Sequence, residues 1–193
     1  MTFRESLVRA CAGNQLSPVQ LAQLERHCEL LYKWNRRLNL TRIGSLSDVV
    51  RLHYCESLFL GSVLPGGDLR IVDVGSGGGF PGIPLAIARP GCKVTLVEAH
   101  GRKGVFLREA ARGLDNVSVV VGRVESIGER FDWLVSRAVR PSDLLSLDIA
   151  SHSAILLTAR ELPLLPQADR VVPVPGTRHR VIALFHVERD KIQ

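Results

Sequence analysis

Leu69-Arg70-Ile71-Val72-Asp73-Val74-Gly75-Ser76-Gly77-Gly78-Gly79 decides the architecture of this chain, because an apolar, β-branched run breaks there abruptly into glycines. Ile71, Val72 and Val74 suit a buried strand, and Gly82 to Ala88 that follows the glycines reads as a helix. Strand, glycine turn and helix form the layout of a nucleotide-binding βα unit, of which three kinds compete. A P-loop needs G-x-x-x-x-G-K-[ST], and no lysine follows these glycines. A dinucleotide fingerprint G-x-G-x-x-G begun at Gly75 meets Phe80 where its third glycine belongs. Begun at Gly77 it finds Gly79 and Gly82, but its first glycine then already lies inside the turn. The third layout, a strand, Asp73, Gly75-x-Gly77-x-Gly79 and a helix, fits the whole unit. Glycines there let the backbone turn tightly and approach a ligand without a Cβ in the way.

Downstream, the alternation continues. Lys93 to Glu98 reads as a second strand, 102–112 as a helix, Val117 to Val121 and Phe131 to Val135 as further strands, Pro141 to Ile149 as the start of a helix and Ala154 to Thr158 as a fifth strand. Buried strands alternating with helices predict an α/β fold with a doubly wound, mostly parallel, Rossmann-like sheet. Arg170 to Val174 and Arg180 to Val187, separated by Pro175-Gly176-Thr177, predict an antiparallel edge pair. Upstream the pattern is helical. Ser17-Pro18 with Gln20 starts a helix over 17–40 whose Leu21, Leu24, Cys28, Leu31 and Leu38 share a face, and Leu46 to Leu64 is helix-rich and closed by Pro65-Gly66-Gly67. The expected division is a helical N-terminal lobe over 1–65 and a ligand-binding domain over 66–193.

The 193 residues, 46% hydrophobic, suffice for one domain with a small extra lobe. No apolar run approaches the ~20 residues that span a bilayer, and the charged start Met1-Thr2-Phe3-Arg4-Glu5 does not suit a signal peptide, so the cytoplasm is expected. Cys11, Cys28, Cys55 and Cys92 form no C-x-x-C pair and no zinc spacing; buried, reduced thiols and no metal are expected. The net charge of +6, mostly arginine, permits a nucleic-acid partner without requiring one.

Two acids frame the glycine turn: Asp73 ahead of it and Glu98 at the end of the next strand. This arrangement resembles the class I S-adenosylmethionine-dependent methyltransferases. The resemblance implies that Asp73 lies near the cofactor's ammonium end, that Glu98 accepts hydrogen bonds from its ribose, and that Val124-Glu125, past the third strand, border the adenine.

Further motifs narrow the resemblance. Tyr32-x-Trp34-Asn35-x-x-x-Asn39-Leu40-Thr41, His53-x-x-Glu56-Ser57-Leu58, Asp73 to Gly79 followed by Phe80-Pro81-Gly82-Ile83-Pro84-Leu85, Arg102-Lys103-x-x-Phe106-Leu107, Arg123-Val124-Glu125 and Ser136-Arg137-Ala138 occur in that order. Over about residues 18–140 they resemble the bacterial 16S rRNA guanine-N7 methyltransferases, also called glucose-inhibited division protein B. The resemblance implies methylation of N7 of a guanine in the decoding-region hairpin of 16S rRNA, with S-adenosylmethionine as cofactor and 16S rRNA or the small ribosomal subunit, rather than DNA or a membrane, as partner. The cofactor contacts it implies are Gly75, Phe80, Val124, Glu125 and Arg137; the superfamily adds Asp73, Gly77 and Glu98.

Arg137 is the catalytic candidate, a cation just after strand four that can meet the cofactor carboxylate or an RNA phosphate; the alternative is a surface arginine paired with Asp132 or Glu129. No essential base is expected, since guanine N7 has an in-plane lone pair. Ser136-Arg137-Ala138-Val139 stands where exocyclic-amine enzymes carry N-P-P-Y, and no Pro-Cys unit offers a pyrimidine C5 nucleophile. Lys33, Arg36, Arg37, Arg42 and Arg51 surround Tyr32 and Trp34, which suits phosphate and base contacts. The RNA-binding candidates are Lys33, Trp34, Asn35, Arg36, Asn39, Arg42 and His53, with a core role equally open for Trp34 and a core or inter-lobe tether role open for His53. The chain departs from the family pattern at Leu52, where an arginine is usual, at Glu56, where an aspartate is usual, and at Leu157-Thr158-Ala159-Arg160, which lacks the usual Lys-Gly; Arg160 is the candidate replacement cation. A small-molecule methyltransferase and a non-catalytic cofactor- and RNA-binding protein are the competing functions.

Overall fold

The computed structural model describes residues 1–11 and 15–186. Helices come first: α1 (Phe3–Ala10), α2 (Pro18–Leu38), α3 (Leu46–Val49), a π-helical turn (Val50–Cys55) and α4 (Glu56–Val63). Then β1 (Arg70–Val74), α5 (Gly82–Ala88), β2 (Lys93–Glu98), α6 (Gly101–Ala110), β3 (Val117–Val121), β4 (Phe131–Arg137), α7 (Pro141–Leu145), β5 (Ala150–Thr158), β6 (Arg170–Pro173) and β7 (Arg180–His186) follow, with 3-10 turns at Val124–Ser126 and Ala159–Leu164. Val187, assigned to the last strand from sequence, lies outside the described residues.

The strands form one sheet in the order β3-β2-β1-β4-β5-β7-β6. The first five run parallel, and β7 pairs antiparallel with both β5 and β6, so the expected doubly wound sheet and antiparallel edge are both present. Chain order reverses between β1 and β4, and a ligand crevice is expected beyond the carboxyl ends of strands at such a switch point.

Alternation along β1 divides the core. Ile71 faces α1–α6, whereas Val72 and Val74 face the layer that contains Leu144 of α7. The N-terminal helices share the first of these cores with α5, α6 and the sheet: Leu24 and Leu31 of α2, Tyr54 and Leu58 pack with Ile83, Leu96 and Phe106. Ser17 and Gln20 form the expected capping box, and the Gln20 side-chain amide also donates to the Ile87 carbonyl at 2.8 Å, joining α2 to α5.

The cysteine expectation requires correction. Cys28 and Cys92 are buried and free, but Cys11 and Cys55 are joined by a disulfide, with their Cα atoms 5.6 Å apart. The cause is tertiary. α1 packs on the π-helical turn, with Phe3 edge-on to Tyr54 at 4.9 Å, and brings together cysteines 44 residues apart in sequence.

Gly82 shows how closely α5 sits on the sheet. A Cβ there would stand 2.3 Å from Leu96 Cδ2 and 2.6 Å from Asp73 Oδ2. Gly82→Ala should therefore destabilise the fold by roughly 1–3 kcal/mol, despite alanine's better helix propensity. Gly128→Ala, where nothing lies within 4 Å, is the control for denaturant unfolding; equal midpoints for the two variants would contradict this packing.

Candidate active site

The site grows from the end of β1. Gly75, Gly77 and Gly79 have φ of +73°, +53° and +85°, the left-handed region that a side chain disfavours. The backbone N–H groups of Gly75 and Ser76 both donate to the Val97 carbonyl, folding the loop over β2. The Glu98 carboxylate then accepts from Gly77 N at 2.9 Å and from His100 N at 2.8 Å. Glu98 thus fastens the loop with one hydrogen bond per oxygen, and each oxygen keeps a lone pair for a ligand hydroxyl.

Asp73 lies beneath the loop, fully buried. Its Oδ2 accepts from Gly82 N at 3.0 Å, while Oδ1 has no partner, the one such buried side-chain atom among the described residues. Burial raises its carboxyl to about 7, against the lowering pull of the Gly82 N–H. An unpartnered acceptor of this kind suits a ligand cation.

A cleft of about 390 Å³ opens where β1, β2 and β3 end. Gly75, Glu98, Val124 and Glu125 line it together with Val139 and Leu144. A Cβ on Gly75 would fall 2.4 Å from Val139 Cγ2, whereas one on Gly77 would meet nothing closer than the Gly75 carbonyl at 3.7 Å. Glycine at 75 keeps the cleft wall thin, and Gly77 leaves an open cradle. With the acids Glu98, Glu125 and Asp143, apolar walls and an open backbone, these residues fit a compact adenosine-linked amino acid.

Arg137 and Phe80 stand apart from that cleft, against the N-terminal helices. Arg137 Nη1 donates to the Leu52 carbonyl at 2.8 Å and to His53 Nδ1 at 2.7 Å, and its guanidinium lies 5.2 Å from the centre of the Phe80 ring. Asp132 and Glu129, the alternative partners, instead engage Arg70. A guanidinium only donates, so His53 Nδ1 is the bare nitrogen and Nε2–H donates to Thr41 Oγ1 at 2.7 Å. Burial, with Arg137 adding to it, holds His53 near 3. Burial lowers Arg137 itself to about 10, and it remains a cation. Phe80 is buried, with its ring stacked on His53 at 4.7 Å and edge-on to Tyr54 at 5.1 Å.

A second relay reaches the loop from α2. His27 Nε2–H donates to the Gly78 carbonyl at 3.0 Å, which leaves Nδ1 to accept from Tyr54 OH at 2.9 Å. Burial holds His27 near 4. Beside Arg137, the buried Glu56 is gripped by Arg180 of β7 at 3.2 Å (Nε to Oε1) and 3.0 Å (Nη2 to Oε2). The exposed Arg160 lies in the turn after β5; the cation that meets Glu56 is Arg180.

The RNA candidates divide similarly. Asn35 uses both ends of its amide on Thr41, donating to its carbonyl and accepting from its N–H at 2.9 Å each. Asn39 ends α2 at φ 48°, a left-handed residue for which asparagine is apt. Asn35, Asn39 and Thr41 thus shape the turn that holds His53. Trp34 is half-buried, edge-on to Phe106 at 6.0 Å. Lys33 and Arg36 are exposed on α2, and Arg42 is exposed beyond it. His27, Tyr54 and Arg180 were absent from the sequence-derived site. Only His27 carried a signal, as a histidine between Leu24 and Leu31 on the apolar face of α2.

The family model described as rRNA small subunit methyltransferase G (GidB) matches residues 20–154. The chain belongs to this family. A ribosomal RNA small subunit methyltransferase G of Chromobacterium violaceum is 40% identical over 180 residues, covering 84% of this chain and 86% of the relative. That of Brevibacillus brevis is 32% identical over 195 residues, covering 93% and 82%. Among solved structures, a SAM dependent methyltransferase from Aquifex aeolicus superposes with a TM-score of 0.56 at 18% identity, covering 72% of this chain and 93% of its own, a likeness of fold. The GidB signature thus spans α2, the glycine loop and β4, the parts joined by the two histidine relays. No helix among the described residues is long and apolar enough to cross a membrane.

The relays imply a pH dependence of stability. His27 and His53 fold with values near 4 and 3 but start from 6.5, so the unfolded chain binds more protons between those limits. Their share of stability is intact above about 6.5 and is lost as pH falls through that window. Asp73, raised to about 7, has the opposite sign over its own range. His53→Gln should flatten the stability–pH curve between about pH 4.5 and 6 by one proton, about 1.4 kcal/mol per pH unit. Parallel curves for the two proteins would mean that His53 is not held neutral.

Proposed function

We propose that this chain transfers the methyl group of S-adenosylmethionine to N7 of a guanine in the decoding-region hairpin of 16S rRNA, in the cytoplasm. The observation that carries the proposal is the cleft of Gly75, Glu98, Val124 and Glu125 at the switch point of the sheet, in a chain whose family is named for small-subunit rRNA methylation. In this assignment Asp73 and Gly77 cradle the amino-acid end of the cofactor, Glu98 accepts from the ribose hydroxyls, and Val124 with Glu125 flank the adenine. S-adenosylmethionine supplies an electrophilic methyl group on a sulfonium.

The protein's own work is alignment. Guanine N7 presents its lone pair in the ring plane, so no side chain has to remove a proton before attack, and orientation with exclusion of water supplies the catalysis. His27 and Glu98 hold the loop that sets the cofactor's position. Arg137 donates hydrogen bonds through Nη1 alone among the described residues, to Leu52 and His53, which leaves its other N–H groups to meet an anionic group of cofactor or RNA.

The direct test is labelled methyl transfer from S-adenosylmethionine to undermethylated small-subunit particles, with the modified base mapped. Label on guanine N7 of the decoding region is expected; label at another base, or only on small metabolites, refutes the assignment. Glu98→Ala should weaken cofactor binding by roughly ten-fold or more in calorimetry, through loss of charge-assisted hydrogen bonds. Arg137→Ala should lower methyl transfer far more than it lowers the unfolding midpoint; matched losses would make Arg137 a folding residue only.

A further inference from the structure

A groove of about 700 Å³ runs between α2 and α6, separate from the cofactor cleft. Leu30, Trp34, Leu38 and Val105 make its apolar lining, and Val105 is half exposed. Lys33, Arg36 and Arg37 border it from α2, and Arg108 and Arg112 from the α6 side. Glu109 is the one acid of the lining, and it is taken by Arg112 at 2.8 Å and Arg26 at 3.7 Å. Lys33, Arg36, Arg37 and Arg108 have no acidic partner among the described residues. Lys33 and Arg37 are four residues apart on α2, a like-charge pair that disfavours the helix unless an anion lies alongside, and Arg108 faces them from α6.

The groove is built rather than incidental. Arg26 on α2 donates to the carbonyls of Glu109 and Arg112 at 3.1 Å each, pinning the end of α6 to α2. Trp34 against Phe106 fixes the floor. The two helices that form it also border the glycine loop: Leu31 of α2 lies 3.2 Å from where a Gly78 Cβ would be, and α6 begins directly after Glu98-Ala99-His100. From there α6 extends for about 15 Å and bears Arg108 in its last turn.

We propose that the α2–α6 groove is a track for a single-stranded segment of the RNA substrate, with phosphates held by Lys33, Arg37, Arg108 and Arg112 and a base laid on Trp34 and Val105. The proposal rests on the RNA-modifying assignment and extends the RNA surface onto α6, on residues outside the family motifs. An apolar floor between two cationic rims matches a strand whose bases and phosphates alternate, and a gap between two adjacent helices admits one strand rather than a duplex.

The test compares the parent with Arg37→Gln/Arg108→Gln for binding to a naked 16S rRNA fragment across a salt series, binding to small-subunit particles, S-adenosylmethionine affinity and methyl transfer at saturating RNA. Both positions are exposed, and an unchanged unfolding midpoint verifies the fold. The log–log salt slope should fall by about two, with affinity for the fragment roughly ten-fold weaker or more. KM for RNA should rise with kcat and cofactor affinity unchanged, and Arg37→Lys/Arg108→Lys should restore the slope. An unchanged slope and affinity in the Gln variant, with the parent methylating normally, overturns the track alone. A loss seen on particles but not on naked RNA overturns it in favour of a protein occupant. A parent that methylates no RNA overturns the functional assignment and the track with it.

Discussion

The backbone between Gly75 and Gly79 takes left-handed φ at Gly75, Gly77 and Gly79, which leaves the Gly77 N–H and the Gly78 carbonyl outside both the strand ladder and the following helix. Buried peptide groups must nevertheless be paired. Glu98 accepts from Gly77 N–H, and His27 donates to the Gly78 carbonyl. One support comes from β2 and the other from α2, so the loop is held between the sheet and the N-terminal helices. Replacing His27 by an aliphatic residue would fill its volume but leave the Gly78 carbonyl unpaired. The shared hydrophobic core makes the same connection in apolar terms.

Charge is distributed around this loop with little waste. Glu56 and Arg180 are close enough to perturb Arg137, and His53 beside it stays neutral, as does the buried His27. Neutral imidazoles give hydrogen-bond direction without adding a buried cation next to Arg137. The Glu56–Arg180 pair balances one buried carboxylate against one guanidinium, and its desolvation cost is offset only because both ends of the fork are engaged. Asp73 is the contrast, a buried acid with one oxygen unpartnered. It is the place where the protein alone leaves electrostatics unfinished.

How legible this was in the sequence depended on distance along the chain. The βα alternation and the capping box at Ser17 are periodic or local patterns and stand as read, and the two acids spaced about the glycines both meet that segment, Glu98 at Gly77 and Asp73 at Gly82. The Cys11–Cys55 bond, the His27–Gly78 contact and Arg180 against Glu56 link segments 44, 51 and 124 positions apart, and no spacing rule encodes them. Between these extremes lies Trp34-Asn35-x-x-x-Asn39-Leu40-Thr41. Its polar residues attracted an RNA-binding interpretation, yet Asn35 and Asn39 set the turn that presents Thr41 to His53. Polar side chains that serve their own backbone look, in sequence, like polar side chains waiting for a ligand. Phe80, beside the glycines in sequence, is for the same reason of folding turned into an aromatic cluster rather than into the cleft.

Arg180 is borne on a strand inserted between β5 and β6, two elements that both precede it in the chain. During synthesis α4, and Glu56 with it, therefore emerges more than a hundred residues before its counter-ion. Until β7 leaves the ribosome, β5 has an open edge and the carboxylate next to Arg137 has no guanidinium across from it. The pairing of β7 with β5 is also what carries Arg180 to Glu56. The residues that fasten the glycine loop, His27 and Glu98, thus emerge well before the one that neutralises Glu56.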